Sequence, residues 1–276
     1  MNASTLIPPL VGLGLLVLVA ATVGPTPSPS APGQGIPPEG AKGTAAQLTQ
    51  LLDPLEEQDW PEEEKLLASS PELRLREVLN ALRERGWQPR CVYSWRTIKS
   101  QDYLFAKGWT EVTFSLHMAV GSEGEPAAMA ADICDKRWGF GERSAEDRAR
   151  AADFFRALGD AAARHGLDWG GNFSRKKGSV WTPLGMGWDP GHIEVKNGGD
   201  RLASVRAASL EPLLGRGVTF TGEGGYRYRI WTQGPYVQIL EGPARRNALY
   251  LPTAHAAEIK AILAEYETKT GIRYHV

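Results

Sequence analysis

The sequence contains little cysteine, methionine and histidine, and its charges nearly cancel. Among 276 residues there are two cysteines, four methionines and five histidines, and the formal net charge is -1. A balanced charge excludes the basic face that proteins use to bind nucleic acid. No internal repeat is visible. With 42% hydrophobic residues, the chain has enough apolar material for one substantial core and a small second unit.

The first 38 residues carry no charged side chain, and an apolar run extends from Leu10 to Ala21. The run is short for a membrane-spanning helix, and the small residues that follow it suit a cleavage site. Residues 1–23 are therefore predicted to be a signal peptide, with an uncleaved membrane anchor as the alternative because a basic start is missing. Both interpretations predict an exported protein, which is periplasmic, extracellular or anchored to the inner membrane.

Export into an oxidising compartment bears on the two cysteines, Cys91 and Cys134. They can form one disulfide, and two buried thiols are an equal alternative.

Composition divides the remainder of the chain into four segments. Residues 24–43 are rich in proline, glycine and serine and are predicted to be a flexible linker. Residues 44–70 are helix-prone and acidic and are predicted to be a helical spacer with a solvated face, with a pro-segment as the lesser alternative. Residues 71–198 form the expected main domain, and residues 199–276 form a small strand-rich unit with one helix.

Hydrophobic periodicity and capping residues predict an α+β fold. Helices are expected from Ser70 to Gly86, near Ile98 to Ala106, from Ser144 to Gly166, and after a Thr253 cap. Strands are expected at Cys91–Tyr93, Ala130–Ile133, His192–Val195, Val218–Phe220, Tyr226–Trp231 and Tyr236–Leu240, and His117 is expected at the end of another strand.

The stretch WDPGHIEV, from Trp188 to Val195, places Asp189 and His192 on either side of a proline-glycine corner. His117, Asp132 and His192 are a mixed donor set of the kind that holds a catalytic zinc ion with one open position. Asp189 lies where it can reach a water on the metal. Because zinc lowers the pKa of its bound water to roughly 7, a nearby carboxylate can act as the general base of peptide hydrolysis.

The order of these motifs resembles a known enzyme family. Ser115-x-His117, Gly121, Ala130-x-Asp132, Trp169-Gly170-Gly171 and Asp189-x-x-His192 follow one another as in the zinc D-alanyl-D-alanine carboxypeptidases and L-alanyl-D-glutamate endopeptidases of bacterial cell walls and phage endolysins. Upstream, Tyr93–Thr97 and Gln101 resemble the segment that carries an arginine and a glutamine in those enzymes. The resemblance covers roughly residues 73–196.

The resemblance implies a small antiparallel sheet with flanking helices, the zinc fold shared with hedgehog domains, and it assigns roles to residues. His117, Asp132 and His192 would bind Zn²⁺, Asp189 would be the catalytic acid and base, and Arg96 would hold a substrate carboxylate or polarise the scissile carbonyl. Gln101 and Ser115 would support substrate binding. Trp169 would line the groove or, equally, close the core.

Two departures from the family pattern affect these assignments. Residues 122–129 look inserted between His117 and Asp132, so Asp135 is a competing ligand, although the flanking Ala130 and Ile133 favour Asp132. The loop from Asn172 to Gly187 is long, and Phe173 stands where a tryptophan is common. Both are expected to reshape the substrate groove.

The expected function is hydrolysis of peptidoglycan stem peptides. Trp-Gly-Gly ahead of Asp-x-x-His favours an L-alanyl-D-glutamate endopeptidase, and a D-alanyl-D-alanine carboxypeptidase is the alternative. A rival from another class is a zinc-containing domain that binds a peptide or partner without turnover, against which Asp189 argues. A further alternative makes residues 199–276 a wall-targeting module. The sequence predicts no oligomeric state.

Overall fold

The computed structural model describes residues 43–141, 143–174, 178–243 and 248–274. The predicted signal peptide or anchor, and all but the last residue of the predicted linker, lie outside these ranges. Within them, no helix has both the length and the apolar character that crossing a membrane requires.

The described residues form seven α-helices and eight β-strands in two antiparallel sheets, so the mixed α+β class is confirmed. The helices are α1 Ala45–Leu51, α2 Glu62–Leu67, α3 Leu75–Glu84, α4 Ile98–Ala106, α5 Ala145–Arg164, α6 Gly198–Leu214 and α7 Ala256–Thr270. The strands are β1 Pro89–Tyr93, β2 Ala130–Asp135, β3 Leu167–Trp169, β4 His192–Val195, β5 Gly217–Thr221, β6 Arg227–Trp231, β7 Val237–Glu241 and β8 Ala248–Tyr250. The sheet orders are β1-β2-β4-β3 and β5-β6-β7-β8.

The first sheet packs against α3 and α5. The apolar stripe of α3, spaced i, i+3, i+4, i+7, is fully buried, as are Phe154 and Phe155 of α5, because one face of each helix must leave water. In the sheet, β2 and β4 pair so that Asp132 lies directly opposite His192. This register brings two candidate ligands together.

Two predicted helix starts are wrong. Ser70 caps a short 3-10 turn, and Arg74 in the left-handed region (φ 46°) separates that turn from α3. Helix α7 begins after His255, and its first turn receives no side-chain cap. Thr253 lies two residues before His255, and its amide donates to the Asp102 carboxylate (2.9 Å), a tertiary contact that the local pattern does not reveal.

The C-terminal region has the predicted β5, β6 and β7, and in addition β8 and the long helix α6, which were not predicted. Helix α6 begins at the expected boundary of the main domain, and Leu210, Leu213 and Leu214 near its end are buried. Leu213 and Trp231 share a core with Leu48 and Trp60 from the predicted spacer. The spacer and the C-terminal region are thus packed parts of one folded unit.

The two cysteines are buried and form no disulfide within the described residues, which is the thiol alternative of the sequence analysis. Cys91 lies opposite Ile133 and Cys134 lies opposite Arg90, so the two cysteines occupy offset positions on neighbouring strands. Cys91 packs in the main core, whereas Cys134 packs with Val92 and Tyr93. Burial raises the pKa of the Cys91 thiol, which makes it a poor nucleophile.

Glu57, in the predicted spacer, is a buried carboxylate that anchors the start of α4. It is 1% exposed, and its two oxygens accept from the Thr97 amide (3.0 Å) and from the Ser100 hydroxyl (2.7 Å). A carboxylate at a helix N-terminus also interacts favourably with the helix dipole.

We expect Glu57→Ala to lower the free energy of unfolding by about 3 kcal/mol, because it leaves a buried amide and a buried hydroxyl without acceptors. Chemical denaturation followed by circular dichroism measures this loss. The matched control is Asp59→Ala, which removes an exposed carboxylate from the same turn and should leave stability unchanged. If the two variants are equally stable, Glu57 does not anchor α4 and residues 44–70 act only as the predicted spacer.

Candidate metal centre

Three side chains converge at the two inner strands of the first sheet. Asp132 lies in β2, and His192 is the first residue of β4. His117 lies on a 3-10 turn, Leu116–Met118, so its predicted position at a strand end is wrong. One donor atom from each of the three lies within 4.8 Å of the others. Asp132 Oδ1 is 3.0 Å from His192 Nδ1 and 3.5 Å from His117 Nε2.

Both imidazoles are oriented by acceptors on their far sides. His117 Nδ1 lies 2.7 Å from the Ser94 carbonyl oxygen, and His192 Nε2 lies 3.2 Å from Glu194 Oε2. An acceptor-only oxygen requires the facing nitrogen to carry hydrogen, which in a neutral imidazole leaves a lone pair on the other nitrogen. On each ring the other nitrogen, His117 Nε2 or His192 Nδ1, faces Asp132 Oδ1. Two imidazole nitrogens and a carboxylate that face one another can hold a cation once those nitrogens are deprotonated, with the outer acceptors in the supporting role that metal-bound histidines typically have.

The pKa shifts show which group of the cluster holds a proton. Burial lowers the pKa of His117. Burial also disfavours the charged form of His192, but hydrogen bonds to Asp132 and Glu194 raise its pKa to about 10. Burial of Asp132 is outweighed by the two histidines, which hold its pKa well below the usual range. Without a metal, a proton on His192 satisfies the carboxylate, and a bound cation would replace that proton.

The corner that precedes His192 is held by the Trp-Gly-Gly segment. The Trp169 indole Nε1 donates to the Pro190 carbonyl (2.7 Å), and the His192 amide donates to the Asp189 carbonyl (3.1 Å). A Cβ on Gly170 would lie 2.0 Å from that same Asp189 oxygen, so the two backbones meet where only glycine fits. Burial raises the pKa of Asp189 to about 6, although His192 opposes the shift.

A cavity of about 690 Å³ contains the cluster. Asp189, Glu194, Arg96 and Ser115 line it together with the three candidate ligands, and its aromatic walls are Tyr93, Trp109, Phe140, Phe173 and Trp188. Phe173 lies against the His192 ring, with centroids 5.8 Å apart. The predicted catalytic residues therefore share one cavity with the cluster. Sequence reasoning missed Tyr93, Trp109 and Phe140 as lining residues, since isolated aromatics have no distinctive spacing.

Arg96 and Gln101 form a buried chain of contacts behind the cluster. Arg96 donates to Asp132 Oδ2 (3.2 Å) and to Gln101 Oε1 (3.0 Å), and Gln101 donates to the Val112 carbonyl (2.5 Å). Gln101 is fully buried and is not part of the cavity wall. It therefore positions Arg96, and its role in substrate binding stays a prediction.

The remaining sequence predictions separate into those inside and those outside the cavity. Ser115 lines the cavity, and no described group bonds to its buried hydroxyl. Trp169 lies outside the cavity wall and packs on Gly159 of α5, which favours its structural alternative. Asp135 is fully buried and paired with Arg137 away from the cluster, so Asp132 is the carboxylate that faces the histidines.

The chain was also compared with known proteins. No protein-family model matches it, and no curated protein sequence matches it. Among solved structures, it is similar to an L-Ala D-Glu endopeptidase of Serratia marcescens, ChiX, at 19% sequence identity. The similarity covers 52% of this chain and 90% of the other, with a TM-score of 0.34. A similarity of that degree decides neither activity nor cofactor, so the site's chemistry must be argued from its own residues.

We expect Gly170→Ala to lower the free energy of unfolding by about 3 kcal/mol, because a Cβ cannot share space with the Asp189 carbonyl. The displaced corner should also weaken the binding of a divalent cation to the cluster, measured by competition with a chelating dye. Gly199→Ala is the matched control, since its added Cβ meets no atom within 4 Å. Wild-type stability and affinity in Gly170→Ala would show that the corner does not depend on this contact.

Proposed function

We propose that this chain is a zinc metallopeptidase that hydrolyses peptidoglycan stem peptides. Within that class we favour an L-alanyl-D-glutamate endopeptidase, with a D-alanyl-D-alanine carboxypeptidase as the alternative. The observation that carries the proposal is the pair of imidazole nitrogens that face Asp132 in the cavity that Asp189 lines. The choice of substrate rests on the motif resemblance. The apolar N-terminal run agrees with export to such a substrate.

The donor set supports zinc. Two imidazoles and one carboxylate are a common protein contribution to a catalytic zinc site, in which a fourth position stays open. His117, Asp132 and His192 would hold the ion. When bound, zinc lowers the pKa of a coordinated water and polarises a carbonyl oxygen. The same donor types also hold non-haem iron(II). The first experiment below therefore identifies the metal.

The chain's own residues would carry the proton transfers. The Asp189 carboxylate would accept a proton from the attacking water and return it to the leaving amine. A pKa raised to about 6 by burial suits both roles near neutral pH. The Arg96 guanidinium, which is 7% exposed and held by Gln101, would bind a substrate carboxylate or polarise the scissile carbonyl.

We expect the purified protein to bind one zinc ion per chain, measured by plasma mass spectrometry after dialysis. His192→Ala should lose the ion, because it removes one of three donors. The control is His165→Ala, which changes a histidine outside the cluster and should keep it. Zinc retained by His192→Ala, or iron bound in place of zinc, would contradict this assignment.

We expect Asp189→Asn to reduce hydrolysis of stem peptides about 10²- to 10⁴-fold, the range of a general base, while zinc content stays at the wild-type level. Mass spectrometry of a muropeptide digest measures the products. Cleavage between L-alanine and D-glutamate identifies the endopeptidase, and loss of a terminal alanine identifies the carboxypeptidase. A wild-type protein that binds zinc and stem peptide but releases no product would instead be a binding domain.

A further inference from the structure

A second cavity of about 370 Å³ lies beside the candidate metal centre. The two cavities are adjacent because four residues belong to both walls, namely Glu111, Val112, Phe114 and Leu202. The second cavity faces the C-terminal sheet, whose strand β8 forms one of its walls. A substrate that extends beyond the metal centre in this direction would enter it.

The wall of the second cavity is an ordered aromatic stack. Tyr250 stacks on His255 with ring centroids 4.8 Å apart. The ring of Phe105 in α4 lies 5.4 Å from the same His255 ring, centroid to centroid. The Leu251 amide donates to His255 Nδ1 (3.1 Å). The Asp102 carboxylate accepts from the two amides just before His255, at 2.9 and 3.2 Å. These contacts fix the wall before any ligand arrives.

Arg206 of α6 projects a positive charge into this wall. It is partly buried, and burial lowers its pKa. No carboxylate of the described residues forms an ion pair with it, whereas Arg201, one and a half turns earlier on α6, pairs with Glu72. Charges withdrawn from water are normally paired. A half-buried guanidinium that lines a cavity without a partner fits an anion supplied from outside.

We propose that this second cavity, the Arg206 subsite, binds a carboxylate of the substrate and that Arg206 is its ligand. The subsite is defined by Arg206, Phe105, Tyr250 and His255. This inference rests on the proposed function, because stem peptides carry free carboxylates away from the bond that is cut. A guanidinium matches a carboxylate with two parallel hydrogen bonds, and the aromatic wall would exclude water from that pair.

The test measures binding of a stem peptide by calorimetry in the Asp189→Asn background, which prevents turnover. Arg206→Gln removes the charge, Arg206→Lys keeps it, and Arg201→Gln removes the other arginine of α6, which does not line the cavity. The probes are the parent peptide and a set in which each carboxylate in turn is a carboxamide.

We expect Arg206→Gln to raise the Kd for the parent peptide about 10- to 100-fold, the range for a charged hydrogen bond. Arg206→Lys should lie between that variant and the wild type, and Arg201→Gln should match the wild type. For one carboxamide peptide the Arg206 effect should vanish. An Arg206→Gln effect of equal size on every peptide, or no effect on any, would overturn the subsite.

The outcomes separate the two proposals. If the wild-type protein hydrolyses stem peptides but the Kd for the peptide is the same in the Arg206 variants, the subsite proposal is refuted and the peptidase proposal stands. If the wild type hydrolyses nothing but the Kd still depends on Arg206 and on one carboxylate, the peptidase proposal is refuted and the subsite proposal stands. Failure to bind any of the peptides removes both.

Discussion

The site depends on two imidazole nitrogens that converge on one partly buried carboxylate. Asp132 and His192 face each other because β2 and β4 pair in a register that makes them direct partners. A slip of one residue would turn Asp132 to the other face of the sheet. His117 arrives from outside the sheet, and its orientation comes from the Ser94 carbonyl. The sheet register and one backbone acceptor therefore determine the geometry of the cluster.

A series of buried hydrogen bonds connects Glu57 to that cluster. Glu57 holds the beginning of α4, α4 carries Gln101, Gln101 holds Arg96, and Arg96 holds the second oxygen of Asp132. A segment that composition marks as a spacer thus stands at the start of a chain of contacts that ends at a candidate metal ligand. Each contact leaves fewer orientations open to the next side chain, which is how a site is kept pre-organised.

Sequence reasoning succeeded where the signal was local. Strand periodicity and helix caps predicted β4, α4 and the Ser144 start of α5, and the Asp-x-x-His spacing brought Asp189 to the cavity of His192. It failed where tertiary contacts decide, as at Thr253, whose amide goes to Asp102, and at His117, which lies on a 3-10 turn. Helix α6 was not predicted because it starts with two glycines, which are unfavourable in a helix. Gly198 is needed at that position because a Cβ would clash with the side chains of Leu116 and Glu194. No pattern in the sequence marks the Ser94 carbonyl.

The most direct test of the central claim is anomalous diffraction at the zinc edge from crystals grown with zinc. The account predicts one peak bonded at about 2.0–2.2 Å to His117 Nε2, His192 Nδ1 and Asp132, with the far nitrogens still on Ser94 and Glu194. A peak coordinated through the opposite nitrogens, or an ion bound elsewhere with the cluster empty, would contradict it.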